Sequence, residues 1–172
     1  MKIKVSAGII GAVLMLSASQ SWAVTLKLSH NQDKYHPVHK AMEFFAKKSK
    51  EYSNGDITIR IYPNGTLGTQ RETMELIRSG AIPLVKTNAA EMEAFENSYK
   101  LFSLPYLFRD RDHYYQVMQG DIGRKILDST KSKGYFGLTF YDGGARSFYG
   151  NKPVLKPDDL KGMKVRVQPS PG

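Results

Sequence analysis

Residues 56–62 have the sequence DITIRIY, which places isoleucine at every second position. Such alternation is typical of a β-strand, because successive side chains of a strand point to opposite faces of the sheet. The pair Asn54-Gly55 precedes the stretch and the residues PNG follow it at 63–65, so turn-forming residues bound it on both sides. We therefore predict a strand over these residues.

A strand and a helix are predicted ahead of this stretch. Residues 25–28 alternate in the same manner, with leucine at two alternate positions. Pro37 suits the first position of a helix, and the apolar residues that follow it recur at helical spacing. This helix is predicted to run to Asn54-Gly55, a pair typical of the carboxyl end of a helix.

A second helix and a third strand are predicted after residue 65. Thr69 and Glu72 have the spacing of a capping box, in which each side chain bonds to the backbone N–H of the other residue. The helix is predicted to end at Gly80, and residues 82–85 form a short strand with Pro83 near its entry. The order strand, helix, strand, helix, strand is typical of a parallel sheet covered by helices.

The predicted fold class is therefore α/β. Parallel sheets bind ligands in the crevice beyond the carboxyl ends of their strands. The loops that follow the three predicted strands are residues 29–33, 63–71 and 86–90. We expect a ligand site among these loops.

The second part of the chain is less regular. Its patterns predict helices over 89–99 and 109–133, strands over 135–141, 147–149 and 163–167, and a turn or short helical loop over 157–162. The last strand has no covering helix after it, whereas a buried parallel strand needs a crossover and a neighbour. The sequence is therefore expected to be interrupted at its carboxyl end.

The first 23 residues have the organisation of a secretory signal peptide. Lys2 and Lys4 precede an apolar run over 5–16, and Ser21 and Ala23 place small residues where a signal peptidase cleaves. The mature protein is predicted to begin at Val24 and to be exported to the periplasm. Charged residues recur through the rest of the chain, so no membrane span is predicted there.

The charge balance favours anionic partners. The formal net charge is +9, and removal of Lys2 and Lys4 leaves +7 for the mature protein. The basic residues are spread evenly and form no stripe with aromatic residues, so nucleic acid is not an expected partner. The absence of cysteine excludes thiol chemistry and cysteine-based zinc sites.

Enzymatic motifs are not found. The sequence has no G-x-S-x-G elbow, P-loop or G-x-G-x-x-G motif, and no cofactor is expected. His36, His39 and Glu43 have a spacing that places them on one helix face, but no zinc signature accompanies them, and surface histidines are the favoured interpretation. A secreted hydrolase that uses His36, His39 or His113 is kept as an alternative.

Two arginines stand out as ligands for an anion. Arg166 lies within the apolar strand predicted over 163–167, and Arg146 follows two glycines at the mouth of another. A guanidinium offers a planar set of donors that matches a carboxylate. Considered alone, Arg166 is equally compatible with an edge-strand side chain that reaches solvent.

Several motifs together resemble one family. They are NGDITI at 54–59, YPNGTLG at 62–68, Arg71-Glu72, RSGA at 78–81, FSLPYLF at 102–108, GAR at 144–146 and DLKGMKVRV at 159–167. In this order they resemble the substrate-binding subunit of tripartite ATP-independent periplasmic (TRAP) transporters, of the C4-dicarboxylate-binding (DctP) type. The resemblance extends from about Leu26 to the end of the chain.

The resemblance implies a periplasmic binding protein with a two-lobed clamshell fold. Such a protein closes on a small organic acid and delivers it to membrane permease subunits without chemical turnover. The resemblance implies that Arg166 makes the main salt bridge to the ligand carboxylate and that Arg146 also lies in the cleft. Asn31, Gln70 and Asn88 match further cleft positions, and the last two are acidic in some members.

The same resemblance implies a truncated chain. Residues 1–23 would be the signal peptide, 24–142 most of the first lobe, and 143–172 the opening strands of the second lobe. A non-functional truncated fragment of a binding protein is therefore a further alternative.

Overall fold

The computed structural model describes residues 23–144, 147 and 149–167. Its sheet consists of three parallel strands, β1 (Val24–Ser29), β2 (Ile57–Tyr62) and β3 (Leu84–Val85), in the order β2-β1-β3. The three strands predicted for the first part of the chain are thus confirmed. The central strand β1 pairs along its whole length with β2, from Val24 opposite Ile57 to Ser29 opposite Tyr62.

Helix α1 (Pro37–Tyr52) connects β1 to β2 and begins at the predicted proline. Nδ1 of His36 accepts a hydrogen bond from the Val38 backbone N–H at 3.1 Å and so caps the first turn. The predicted carboxyl end is also confirmed, because Asn54 and Gly55 have φ angles of 52° and 91°. Glycine adopts this left-handed conformation without the steric cost that a side chain imposes.

Helix α2 (Gln70–Arg78) connects β2 to β3 and begins with the predicted capping box. The Glu72 N–H donates to Thr69 Oγ1 at 3.3 Å, and the Glu72 carboxylate accepts from the Thr69 N–H at 2.7 Å. These reciprocal bonds satisfy two backbone donors that a helix terminus leaves free. They fix the first turn of α2, and with it Gln70, close to the carboxyl end of β2.

The order of the strands indicates the face that each helix covers. The connection from β1 to β2 and the connection from β2 to β3 run in opposite directions across the sheet. Because crossovers between parallel strands are right-handed in nearly all proteins, we infer that α1 and α2 cover opposite faces. The α2 face carries the main core, a cluster of five buried residues: Met74, Met92, Tyr99, Ile126 and Tyr135. Helix α1 contains no buried residue, and Phe44 on it is 63% exposed.

The second part is helical, as predicted, but in shorter segments. It contains helices α3 (Ala89–Met92), α4 (Arg111–Gln119) and α5 (Asp121–Ser129), with 3-10 turns over Asn97–Ser103, Lys131–Lys133 and Pro157–Leu160. The single helices predicted over 89–99 and 109–133 are therefore wrong in length. Gly120 separates α4 from α5 in an extended conformation, and a Cβ there would lie 2.7 Å from the Gln116 carbonyl oxygen.

The strands predicted for the second part are not found where the structure describes them. Residues 135–141 and 163–167 have no regular secondary structure, so both predictions are wrong. In the strand predicted over 147–149, Phe148 lies outside the described residues, and Ser147 and Tyr149 have no regular structure. The alternation of residues 163–167 is that of a strand, but a strand forms only where a neighbouring backbone supplies its hydrogen bonds.

No helix in the described ranges combines the length and the apolar composition that a membrane span requires. The signal peptide predicted over 1–23 lies, up to Trp22, outside the described residues.

Candidate functional site

The loops at the carboxyl ends of β1 and β2 are joined by backbone hydrogen bonds. The His30 N–H donates to the Tyr62 carbonyl at 3.1 Å, and the Gly65 N–H donates to the His30 carbonyl at 3.0 Å. The Asn64 N–H donates to the Gln32 carbonyl at 2.9 Å. The residues after two adjacent strands are thereby held together at one edge of the sheet, where the sequence predicts a ligand site.

The loop after β3 is tied to the same edge. The Lys86 N–H donates to the Ser29 carbonyl at 2.9 Å, so the backbone of Lys86 continues the pairing with β1. The Asn88 N–H donates to Oε1 of Gln70 at 2.9 Å, although the two residues are 18 positions apart in the chain. Gln70 and Asn88, both predicted as cleft positions, are therefore brought together.

Lys86 is the charged group at the centre of this edge. Lys86 as a whole is 9% exposed, and its Nζ donates a hydrogen bond to Oδ1 of Asn88 at 2.7 Å. No carboxylate of the described residues forms an ion pair with it. Because burial disfavours the charged form, the pKa of Lys86 is lowered to about 8 from its ordinary value of 10.5.

His30 lies beside Lys86 and is 2% exposed. Its Nε2 is 2.9 Å from Nδ1 of His39 on α1, and Nε2 of His39 is 3.5 Å from the Glu43 carboxylate. Burial, followed by the proximity of His39 and Lys86, lowers the pKa of His30. The buried imidazole therefore favours its neutral form, which limits the concentration of positive charge around Lys86.

Polar atoms of the same loops remain without partners. Oε1 of Gln32 and Oγ1 of Thr87 are buried and make no hydrogen bond within the described part of the chain. Native structures seldom leave buried polar groups unsatisfied away from functional sites. Asn31, another predicted cleft residue, is exposed in the loop after β1, next to the buried His30.

The structure shows no contact between Arg166, one of the two predicted arginines, and this edge. Arg166 is exposed and forms no hydrogen bond or ion pair with another described residue. Arg146 lies outside the described residues, so its predicted cleft position is neither supported nor contradicted by the structure. Of the five predicted site residues, the structure joins Gln70 to Asn88 by a hydrogen bond.

The histidines considered for an enzyme have other contacts. His36 caps α1, His39 contacts His30, and Nδ1 of His113 accepts a hydrogen bond from the Arg109 N–H at 3.2 Å. The described residues contain no group of three side chains arranged to hold a metal ion.

Two residues of this edge, His30 and Lys86, were not singled out from the sequence. The available signal was their position, since each follows a predicted strand at its carboxyl end. The lysine directly after the third predicted strand was a further signal. A residue in that position lies close to the core, and lysine is seldom buried without a partner.

Comparison with known proteins identifies the family of the chain. Residues 28–172 match the family model of DctP, bacterial extracellular solute-binding protein, family 7. The C4-dicarboxylate-binding periplasmic protein DctP of Rhodobacter capsulatus is 31% identical over 148 residues, which are 86% of this chain and 44% of that protein. An uncharacterized protein, YiiZ, of Salmonella typhimurium is 39% identical over 136 residues, 78% of this chain and 42% of that protein.

Solved structures show the same fold. A TRAP periplasmic solute-binding protein from Xanthobacter autotrophicus Py2, with bound β-D-galacturonate, has a TM-score of 0.81 and 37% identity. The match covers 84% of this chain and 49% of that one. A TRAP periplasmic solute-binding protein from Citrobacter koseri, with bound D-glucuronate, has a TM-score of 0.80 and 33% identity, over 86% and 50% of the two chains.

The chain spans about half the length of the curated relatives it matches. The structural matches confirm the predicted α/β fold, and they cover 49% of each of two matched solute-binding proteins. The comparisons support neither of the two alternatives, a secreted hydrolase and a non-functional fragment.

Proposed function

The chain belongs to family 7 of the bacterial extracellular solute-binding proteins, and from this membership we propose that it captures a small organic acid for a TRAP transporter. The protein would bind its ligand outside the cytoplasm and deliver it to the membrane permease subunits. Binding would proceed by closure of two lobes and without chemical turnover. Uronates bound to two similar proteins make sugar acids the first ligands to test.

The structural observation that supports this proposal is the hydrogen-bonded group that Gln70, Asn88 and Lys86 form at the carboxyl edge of the sheet. Both amides lie where parallel sheets bind ligands. The buried ammonium of Lys86 is hydrogen-bonded to one of them, and it has no acidic partner among the described residues. An anionic ligand would supply the charge that this ammonium lacks. The net positive charge of the chain would favour the approach of such a ligand.

Within this proposal the arginines complete the site. Arg166 would make the main salt bridge to the ligand carboxylate, and Arg146 and Asn31 would contact the ligand from their own loops. The exposed position of Arg166 leaves its guanidinium free to pair with a ligand.

The proposed organisation assigns residues 1–23 to a signal peptide, 24–142 to the first lobe and 143–172 to the start of the second. Cleavage before Val24 would leave β1 intact, because β1 begins at Val24. The Val24 nitrogen donates to the Asp56 carbonyl at 2.7 Å, and a new amino terminus there would still be a donor.

The proposal is tested by thermal-shift and calorimetric titration of the full-length mature protein with uronic acids, keto acids and dicarboxylates. We expect at least one acid to raise the melting temperature and to bind with a stoichiometry of one, because a ligand that binds only the folded state stabilises it. Neutral sugars of the same size serve as controls. If no organic acid binds, or if neutral sugars bind equally well, the proposal is wrong.

A further inference from the structure

Two histidines join α1 to the loop that follows β1. Nε2 of His30 lies 2.9 Å from Nδ1 of His39, and the planes of the two rings are inclined at 58°. His30 is buried, and the side chain of His39 is 12% exposed, so the contact is shielded from solvent. These two residues form the histidine pair, and residues 30–33, which include Asn31, form the β1 loop.

The backbone determines which nitrogens of the histidine pair carry protons. The Gln32 N–H donates to Nδ1 of His30 at 3.2 Å, so this nitrogen is an acceptor and the proton of the neutral ring is on Nε2. Nε2 of His30 then donates to Nδ1 of His39, whose own proton is on Nε2, 3.5 Å from the Glu43 carboxylate. The hydrogen bonds therefore run in one direction, from the Gln32 backbone to α1.

This arrangement has no place for a third ring proton. A proton on Nδ1 of His39 would face the Nε2–H of His30, and a proton on Nδ1 of His30 would face the Gln32 N–H. Either position sets two donors against each other inside the fold, where an unsatisfied donor is costly. Binding of a third proton is therefore coupled to separation of the histidine pair or to loss of the Gln32 contact.

The surroundings of the pair also oppose a positive charge. Burial lowers the pKa of His30, and the neighbouring His39, Lys86 and His36 lower this pKa further. Glu43 acts in the opposite direction on His39, but its side chain is exposed, so solvent screens its charge. We therefore expect the imidazole that binds a proton in acid to move toward solvent, so that no charge is added beside Lys86.

We propose that the histidine pair positions the β1 loop in a pH-sensitive manner, so that the affinity for the organic acid falls when the pair binds a proton. This inference rests on the proposed function, in which Asn31 contacts the ligand. Asn31 lies between His30 and Gln32, the two residues whose hydrogen bond the third proton opposes. His30 and His39 act as positioning residues, because a released loop has to be ordered again on binding, which costs conformational entropy.

Calorimetric titration of the full-length mature protein with D-glucuronate at pH 7.5 and pH 5.5 tests the coupling. The ligand has one carboxylate, and carboxyl groups titrate near pH 4, so its charge stays nearly constant over this range. Coupling to one proton changes an affinity by at most about tenfold per pH unit. We expect the wild-type affinity to be at least about fivefold lower at pH 5.5 than at pH 7.5.

Two substitutions of His39 separate the proton from the contact. His39→Asn places an amide oxygen near the position of Nδ1, so it keeps an acceptor for His30 and binds no proton in this range. We expect it to retain the affinity at pH 7.5 within about threefold and to change by less than about twofold at pH 5.5. His39→Leu removes the acceptor, and we expect low affinity at both pH values.

His113→Asn on α4 is the matched control. Nδ1 of His113 also accepts a hydrogen bond from a backbone N–H, that of Arg109, but it lies outside the sheet edge. This variant is expected to keep the wild-type pH profile. Melting curves at both pH values would verify that all variants are folded.

Amide hydrogen exchange of the ligand-free protein measures the position of the loop independently of binding. We expect the Gln32 N–H to be protected at pH 7.5 and to lose at least about fivefold in protection factor at pH 5.5, once the intrinsic pH dependence of exchange is removed. His39→Asn should keep this protection at both pH values. Unchanged protection in the wild-type protein would overturn the inference.

The binding results separate this inference from the proposed function. If the affinity for the acid rises at pH 5.5, a charge added beside Lys86 outweighs any release of the loop, and the inference is overturned. Equal losses in acid for the wild type and His39→Asn would place the titrating group elsewhere and would also overturn it. In both cases the acid still binds, so the proposed function stands. If no organic acid binds at either pH, both are wrong.

Discussion

The carboxyl edge of the sheet and the segment over 163–167 differ in how their functional side chains are held. At the sheet edge, residues from three loops are joined by hydrogen bonds, and His30 and Lys86 are almost completely buried. In the segment over 163–167, every described residue is exposed, and Arg166 has no partner among the described residues. One region is organised before a ligand arrives, and the other offers a charge that a ligand would have to position.

This difference indicates that the two regions have different roles in the proposed site. Groups that are already ordered lose little conformational entropy on binding, so the amides of Gln70 and Asn88 are suited to discriminate between ligands. An arginine at the surface loses more freedom, but its bidentate pairing with a carboxylate is stronger than a neutral hydrogen bond. Substitutions in each region would reveal whether the two differ in this way.

The largest effect is expected from Arg166→Ala in the full-length protein. Loss of the proposed main salt bridge should weaken organic-acid binding by about 2–5 kcal/mol, whereas stability should change little, because Arg166 is exposed. Calorimetry measures the affinity, with Arg124→Ala, another exposed arginine, as the control. Near-wild-type affinity would show that the segment over 163–167 does not hold the ligand.

A comparable effect, but on stability, is expected from Met74→Ala. Met74 is 2% exposed in the core on the α2 face, and its removal should lower the free energy of unfolding by about 2–5 kcal/mol. Phe44→Ala on α1, where the side chain is 63% exposed, should cost less than about 1 kcal/mol. Urea denaturation measures both, and equal losses would contradict the assignment of the core to the α2 face.

A smaller effect with the opposite sign is expected from Lys86→Met. Because the pKa of Lys86 is lowered in the folded protein, the unfolded chain binds the proton more tightly. The free energy of unfolding of the wild-type protein therefore decreases as the pH falls from about 10.5 to about 8. Below about pH 8 this contribution stays constant. Substitution should raise the free energy of unfolding at pH 7 by about 1–2 kcal/mol, after the lost hydrogen bond is taken into account.

Denaturation of wild-type and Lys86→Met proteins at pH 7 and pH 10 measures this difference. The gain in stability should be larger at pH 7 than at pH 10, because the wild-type lysine is mostly neutral at the higher pH. A variant that is less stable than the wild type at both values would show that the ammonium is satisfied within the fold.

The smallest effect is expected from Thr69→Ala, which removes the side-chain half of the capping box of α2. The free energy of unfolding should fall by about 1 kcal/mol, since the Glu72 N–H loses its acceptor. Thr69→Ser, which keeps the hydroxyl oxygen, should cost less. Thermal denaturation measures both, and equal losses would mean that the methyl group, not the hydroxyl, carries the contribution.

The parallel sheet could be predicted because its determinants are local. Alternation over 56–62, the proline at the start of α1 and the Thr69–Glu72 spacing are each contained in a few residues. The same reasoning failed over 163–167, where the alternation is present but no described residue pairs with the segment as a neighbouring strand. Periodicity indicates what a segment can form, and its hydrogen-bonding partners decide whether it does so.

The candidate site was predictable in part. Gln70 and Asn88 were identified by resemblance to a family. The two residues are 18 positions apart in the chain, and their contact depends on the packing of α2 against β3. The roles of His30 and Lys86 depend on their burial. The sequence does not reveal this burial, because each residue stands between a short strand and a polar loop. For lysine, whose burial is rare, the structure was needed to show that the side chain points inward.

The most direct test of the account is a titration of the full-length protein with an organic acid that binds, followed by NMR of its side-chain amide groups. The NH₂ resonances of Gln70 and Asn88 should shift on binding, with saturation at the calorimetric stoichiometry, because these groups are the free donors at the sheet edge. The exposed side-chain amide of Gln119 serves as the reference. If the acid binds while the Gln70 and Asn88 resonances stay unchanged, the ligand site does not lie at this edge.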